Sequence, residues 1–417
     1  MKANAKTEQR DGRNLRHQSA VGLLLLTLLM ANPLQGFATA GYGVISTGST
    51  TGTNLNLGFD PGTNYVLVTN GITITGTSNA VFGDTHAWYL TNAATLSGNT
   101  NGVYLGSGGS VNNLTNGTIS GIVNDGVAIV GGGSVNNLTG GFILGNTNGV
   151  YITNGIGSVV NAGVIRGTNG SGVYMDANTT NGSVNNQSGG TIAGVVGVNI
   201  NSPGYVTNAG AIAGTAGAGV YIGSAGGVNN LSGGTIVGNT WYGVIINGTG
   251  YVTNAGTITG SGVDGVYIGS SGTVNNSGNI YGNTNGASIY GSMGSVVNAG
   301  SITGTNGNGV YMGAGGSVNN QGNISGGKYG VFITNGTGSV INTGSIAGNT
   351  NDGVYLGGGG SVNNAQFIYG NTNGVSITGS TGSVVNTGII IGLNGAGVYL
   401  GTNGSVNNQS GRRYTHR

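Results

Sequence analysis

Asp84 and His86 stand two residues apart, close enough to share one face of a strand, with Asp60 nearby in sequence. A carboxylate beside an imidazole is the least that hydrolysis or metal binding needs. Three further carboxylates, Asp125, Asp264 and Asp352, each sit just before a Gly-Val pair. The third candidate set is aromatic: Tyr104, Tyr151, Tyr174, Tyr221, Tyr267, Tyr311, Tyr355 and Tyr399, with Phe332 in the same slot. A row of exposed rings can stack on sugars, dock a protein, or shield the sheet beneath it. The supply of acid–base groups is thin. No glutamate follows Ala40, and between Ala40 and His416 the only histidine is His86. On this count no catalytic residue, metal ligand or cofactor site is expected.

What positions these side chains is a repeat of about 22 residues. Asparagine recurs at Asn70, Asn92, Asn113, Asn137, Asn161, Asn186, Asn208, Asn230, Asn254, Asn276, Asn298, Asn320, Asn342, Asn364, Asn386 and Asn408. Val stands two residues before each, replaced by Leu only at Leu90, and an Ile-x-Gly or Leu-x-Gly triplet follows, as in Ile302-Thr303-Gly304. Such periodicity means a solenoid, whose coils bury their apolar faces only against one another. The coil from Gly294 to Gly313 shows three short apolar-centred runs, at Val296–Asn298, Ser301–Thr303 and Val310–Met312. Strand alternation turns Val296, Ile302, Val310 and Met312 inward and Ser301, Thr303 and Tyr311 outward. The expected fold is all-β: a right-handed parallel β-helix of roughly 16 coils, three strands per coil, about 75–80 Å long. An inward asparagine at a corner can satisfy backbone groups there and bond its counterparts above and below. Asn254, Asn276, Asn298, Asn320, Asn342, Asn364 and Asn386 form the most regular part of this ladder. The glycine column marks a corner that needs either positive φ or the absence of a side chain. Longer coils carry two extra residues at one corner, as at Leu114–Gly117, Leu138–Gly141 and Leu231–Gly234.

That geometry bears on the carboxylates. Asp125, Asp264 and Asp352 lie six and then four coils apart, roughly 29 Å and 19 Å. Paired glycosidase carboxylates stand about 5–10 Å apart, so no two of the three can cooperate. The outward column Thr73, Thr95, Thr118, Phe142, Val164, Thr191, Ala211 is too irregular for a flat Thr array that would order ice.

Composition narrows the classes further. The chain has 94 Gly, 3 Pro, no Cys and 4% charged residues. Without a Gly-X-Y period it is not collagen, and without Cys it has no disulfide framework. Between Gly41 and Gly411 two cations, Arg166 and Lys328, meet six aspartates, a net of −4. Nucleic-acid binding needs a basic stripe, so no nucleic-acid partner is expected. Residues 1–40 read as a signal peptide: Lys2, Lys6, Arg10, Arg13 and Arg16, then an apolar run from Ala20 to Ala31, then Ala38-Thr39-Ala40 as a cleavage site. The alternative is an uncleaved anchor, although about 20 residues are needed to span a bilayer. Residues 41–67 fall outside the repeat and are the candidate N-terminal cap, 68–411 form the β-helix, and 412–417 are a basic non-repeat tail that reads as a truncation.

The Gly-Ser-Val-Asn-Asn…Ile-x-Gly…Gly-Val-Tyr-Ile repeats from about Val68 to Gly411, behind a basic leader, resemble the passenger region of Gram-negative autotransporter adhesins. The resemblance implies export to the cell surface or medium, a glycan or protein partner on a host or neighbouring cell, and an outer-membrane translocator. A C-terminal barrel of that kind is not recognisable in this sequence, which would leave a truncated product in the periplasm. Two other classes stay open: a polysaccharide-active enzyme with Asp84 and His86 as its best residues, and a fibre that self-associates end to end through an uncapped last coil.

Overall fold

The computed structural model describes residues 64–84 and 86–409, together with short strands at Tyr42–Ile45, Thr50–Thr51, Leu55–Asn56 and Tyr414–Thr415. The leader, residues 1–40, lies outside the described residues, as does most of the tail. The described chain is a right-handed parallel β-helix of about 16 coils with three strands in each. Every strand pairs in parallel with the equivalent strand one coil on, so three ladders run the length of the molecule. One coil illustrates all three: Gly294–Asn298 in the first sheet, Ser301–Gly304 in the second, Val310–Met312 in the third. Fifteen successive pairings link Tyr65–Val68 to Gly404–Asn408, a rise of roughly 70 Å at about 4.8 Å each.

The interior is set by strand alternation. Val296, Ile302, Val310 and Met312 are wholly buried, while Ser301, Thr303 and Tyr311 are half-exposed. The same pattern recurs coil after coil, so one continuous apolar column fills the tube. Corner insertions leave it undisturbed. At Leu114–Gly117, Leu138–Gly141 and Leu231–Gly234 the extra residues form tight turns, closed by Gly117, Gly141 and Gly234 N–H donating to Leu114, Leu138 and Leu231 carbonyls at 2.8–2.9 Å. Asn116, Gly140 and Gly233 take positive φ there, as such turns require.

The asparagine column is a hydrogen-bonded wire. Each Nδ2 donates to the Oδ1 of the next coil's asparagine at 2.7–2.9 Å, from Asn92 to Asn113 through to Asn386 and Asn408. Asn298 receives from Asn276 and gives to Asn320, both at 2.8 Å, and its amide also reaches the Gly300 and Asn323 carbonyls at 3.1 Å. Asn70 does not belong to it. Parallel register places Val68, not Asn70, opposite Asn92, and the exposed Asn70 side chain accepts from its neighbour Gly71 N–H at 2.8 Å. Val68-Thr69-Asn70 has the form of the motif but lies two residues beyond the slot.

Residues 41–67 contain strands that continue the stack. Tyr42–Ile45 pairs with Tyr65–Val68, Thr50–Thr51 with Ile74–Thr75, and Leu55–Asn56 with Val81–Phe82. The repeated stacking therefore reaches back past Val68. At the other end Tyr414–Thr415 pairs with Ile390–Ile391, so part of the tail adds a strand to the second sheet.

Candidate binding face: the aromatic row and the corner carboxylates

The third sheet carries the aromatic row. Its middle outward position reads, coil by coil, Phe82, Tyr104, Ala128, Tyr151, Tyr174, Asn199, Tyr221, Ile245, Tyr267, Ser288, Tyr311, Phe332, Tyr355, Ser376 and Tyr399, all in register. Phe82 extends the set by one coil. The smaller residues do not always interrupt the row, because rings from neighbouring columns reach into it. Tyr242, Tyr290 and Tyr329 complete a run from Tyr242 to Tyr355 with ring centroids 4.4–5.9 Å apart. Sequence periodicity missed these three because each sits two or three residues from the slot. The signal was their timing: each falls in a coil whose slot, or whose neighbour's slot, holds Ile245, Ser288 or Phe332.

These rings are engaged with one another. Tyr151 and Tyr174 are nearly parallel at 5.5 Å, and Tyr329 and Phe332 at 4.4 Å. The other contacts from Tyr242 to Tyr355 are tilted or edge-on, with planes 38–60° apart, so the rings interlock at varied angles. Several hydroxyls are fixed by the coil beyond. Asn201 Nδ2 donates to Tyr174 at 3.1 Å, Asn247 Nδ2 to Tyr221 at 2.8 Å, and Thr378 Oγ1 to Tyr355 at 3.1 Å. Tyr290 is the extreme case: burial, then the Asp264 charge, pushes its hydroxyl up to about 12. Tyr399, in the last coil of this sheet, is the most exposed of the row at 49%.

Asp125, Asp264 and Asp352 turn out to belong to a second polar ladder, at the corner that enters the third sheet. Its other members include Asn79, Asn101, Asn148, Asn285, Asn308 and Asn373. In each except Asn308, whose buried Oδ1 has no partner, the side-chain oxygen accepts a backbone N–H of the next coil: Asn148 onto Asp125 at 3.0 Å, Asn285 onto Asp264 at 2.9 Å, Asn373 onto Asp352 at 2.8 Å. The three carboxylates are thus corner caps distributed along the rod. Burial raises Asp125 and Asp264 above the ordinary carboxyl range, opposed by the bonds from Asn148 and from Ser288 and Asn285 respectively.

A pH prediction follows from Asp264. A carboxyl raised in the folded state binds protons more tightly there than in the unfolded chain. Its contribution therefore favours folding in acid and is lost as pH rises from about 4 through the folded value. Asp264→Asn restores the ladder's usual residue, so at pH 7 the variant should unfold at higher denaturant than wild type, and the gap should shrink towards pH 4.

Asp84 and His86 do not share a strand face. The strand Val81–Gly83 ends before Asp84 and the next begins at Trp88. Both residues lie on the connection, where the His86 ring packs on Trp88 at 4.5 Å and Ser107 Oγ donates to the Asp84 backbone carbonyl. Among the described residues no three His, Asp or Glu side chains gather as a metal ion requires. No family model, curated protein or solved structure matches this chain. Its own geometry therefore carries the functional reading.

Proposed function

We propose that the chain is a non-enzymatic β-helical stalk or adhesin, exported to the cell surface or medium, with partner contact along the aromatic row of the third sheet. The observation that carries this is the parallel register that all three sheets keep over the described coils, with a one-residue bulge in the first sheet where Ile156 and Ser158 face Thr180 and Ser183. A rod built this way holds what lies at its two ends a fixed distance apart. The resemblance to autotransporter passengers points the same way and supplies the export route. The rings interlock at varied angles and several of their hydroxyls are engaged, so the row presents an uneven aromatic and polar surface, which suits a protein partner. The distribution of the aspartates as single corner caps, each accepting from the coil above, supports a non-enzymatic reading over a polysaccharide-active one.

The test is cell adhesion by the displayed chain with Tyr267, Tyr311 and Tyr355 all changed to alanine. The row already accommodates Ala128 and Ser288, so the coil should fold, which circular dichroism checks. Adhesion should fall at least about tenfold if the row supplies the central contacts; unchanged adhesion by the folded variant removes the row from the proposal. Sequencing the N-terminus of exported protein tests the leader, with Gly41 expected as the first residue.

A further inference from the structure

Of the three corner carboxylates, Asp125 and Asp352 each take both asparagine bonds on Oδ1, and Asp125 lines a depression. Asp264 has both oxygens occupied: Oδ1 accepts from Asn285, and Oδ2 accepts the Ser288 hydroxyl at 2.7 Å. One coil before Asp264, its own column holds Tyr242, and one coil before Asp352 it holds Tyr329. Both hydroxyls are raised first by burial and also by the adjacent aspartate charge. The column residue one coil before Asp125 is the small Asn101. The Asp125 side chain is nine-tenths buried, and its Oδ1 takes both Asn148 bonds, at 3.0 and 2.9 Å. No hydrogen bond reaches Oδ2 among the described residues. Beside it lies a shallow depression of about 150 Å³, lined by Asn124, Asp125, Thr147, Asn148, Tyr151 and Tyr174.

The chemistry of that lining is specific. It combines a desolvated carboxylate with a free acceptor, two tyrosine rings and neutral polar side chains, with no cation. The only Lys or Arg residues between Gly41 and Gly411 are Arg166 and Lys328, and neither lines the depression. A second carboxylate, Asp176, adds negative potential behind the rings, where it accepts from Tyr151 at 3.3 Å and Thr153 at 2.6 Å. Tyr174 stacks on one side of Tyr151, and the slot neighbour on the other side is the small Ala128, so an organic cation is attracted by the carboxylate charge and by that Tyr151 face together. Oδ2 is open to an N–H donor.

We propose that this depression binds a primary ammonium group, with the Asp125 carboxylate accepting its N–H and its alkyl stem lying against the Tyr151 ring, on the side of the small Ala128. The site does not depend on the chain being an adhesin; unchanged adhesion in the tyrosine variant above would leave it standing.

The experiment is a calorimetric and NMR titration of the whole chain with n-butylammonium chloride, using n-butanol as the uncharged probe. Saturable one-site binding in the millimolar range is expected, with none for n-butanol. Asp125→Asn puts the ladder's commonest residue at the corner and should fold, yet weaken binding at least about tenfold. Tyr151→Ala, placing in the row the residue already at Ala128, should weaken it several-fold while leaving the carboxylate in position. Asp352→Asn should bind as wild type does. Absence of saturable binding by wild type overturns the proposal. So does equal binding of n-butanol, and so does undiminished affinity in a folded Asp125→Asn chain.

Discussion

Asn298→Asp should destabilise the coils around it by about 4 kcal/mol at pH 7, and the loss should shrink as the solution is made acidic. The substitution changes almost no volume. It removes the one thing the first ladder demands, a donor. Asn298 Nδ2 serves three oxygens, those of Asn320, Gly300 and Asn323. A carboxylate in its place would face all three with no proton to offer, at a site with no solvent exposure. The side chain must then hold a proton to remain there. Keeping a carboxyl neutral at pH 7, against an ordinary value near 4, costs about 4 kcal/mol at roughly 1.4 kcal/mol per unit. Because the folded state binds the extra proton, stability returns as pH falls towards the unfolded value. Asn298→Ala, which leaves the Asn320 oxygen and backbone carbonyls without this donor, should cost about 3 kcal/mol with no such pH dependence. Urea unfolding of the two variants from pH 4 to pH 8, with hydrogen exchange to localise the loss, checks both. Parallel pH profiles for Asp and Ala variants would show that the donor is not what the position selects.

The same reasoning explains where aspartate occurs in this chain. At the second ladder the side chain's service to the next coil is as an acceptor of backbone N–H, so Asp125, Asp264 and Asp352 replace asparagine there. The first ladder, from Asn92 to Asn408, has none.

Gly304→Ala is the second large effect, expected at about 3 kcal/mol or more. A β-carbon at Gly304 would collide with the Asn308 carbonyl oxygen and stand 2.7 Å from the Thr284 carbonyl oxygen. Both are backbone atoms of the stacked corner, which cannot move aside as a flexible side chain can. Gly71 makes the contrast. It has φ +81° and nothing within 4 Å of where a β-carbon would be, so Gly71→Ala should cost only the left-handed strain, about 1–2 kcal/mol. Limited proteolysis should cut the Gly304→Ala chain near that corner and leave the Gly71→Ala chain almost as resistant as wild type.

The alternation of Val296, Ile302, Val310 and Met312 was legible in the sequence because burial and side-chain period are one constraint. The glycine column was legible as a column but not in cause: its φ angles are ordinary, and the requirement is room. The Asn70 error shows the limit of a three-residue motif. Only pairing with the neighbouring coil fixes which residue occupies a slot, and Val68 can fill it where no earlier asparagine is present to be bonded. The second ladder was visible only through its charged members, since Asn79, Asn101 and Asn148 look like any corner asparagine until the N–H of the coil above is placed. Tyr242, Tyr290 and Tyr329 escaped for a related reason: long side chains cross between columns, which a one-dimensional period does not record.

The amide wire has a direction. Every Nδ2 along it points towards the C-terminal coil and every Oδ1 towards the N-terminal one, a sense that the parallel strands share. Successive amide dipoles therefore add along the axis, and each bond polarises the next. The start of this ladder is not the end of the rod: Val68 and then Ile45 hold the equivalent register position in the coils stacked before Asn92.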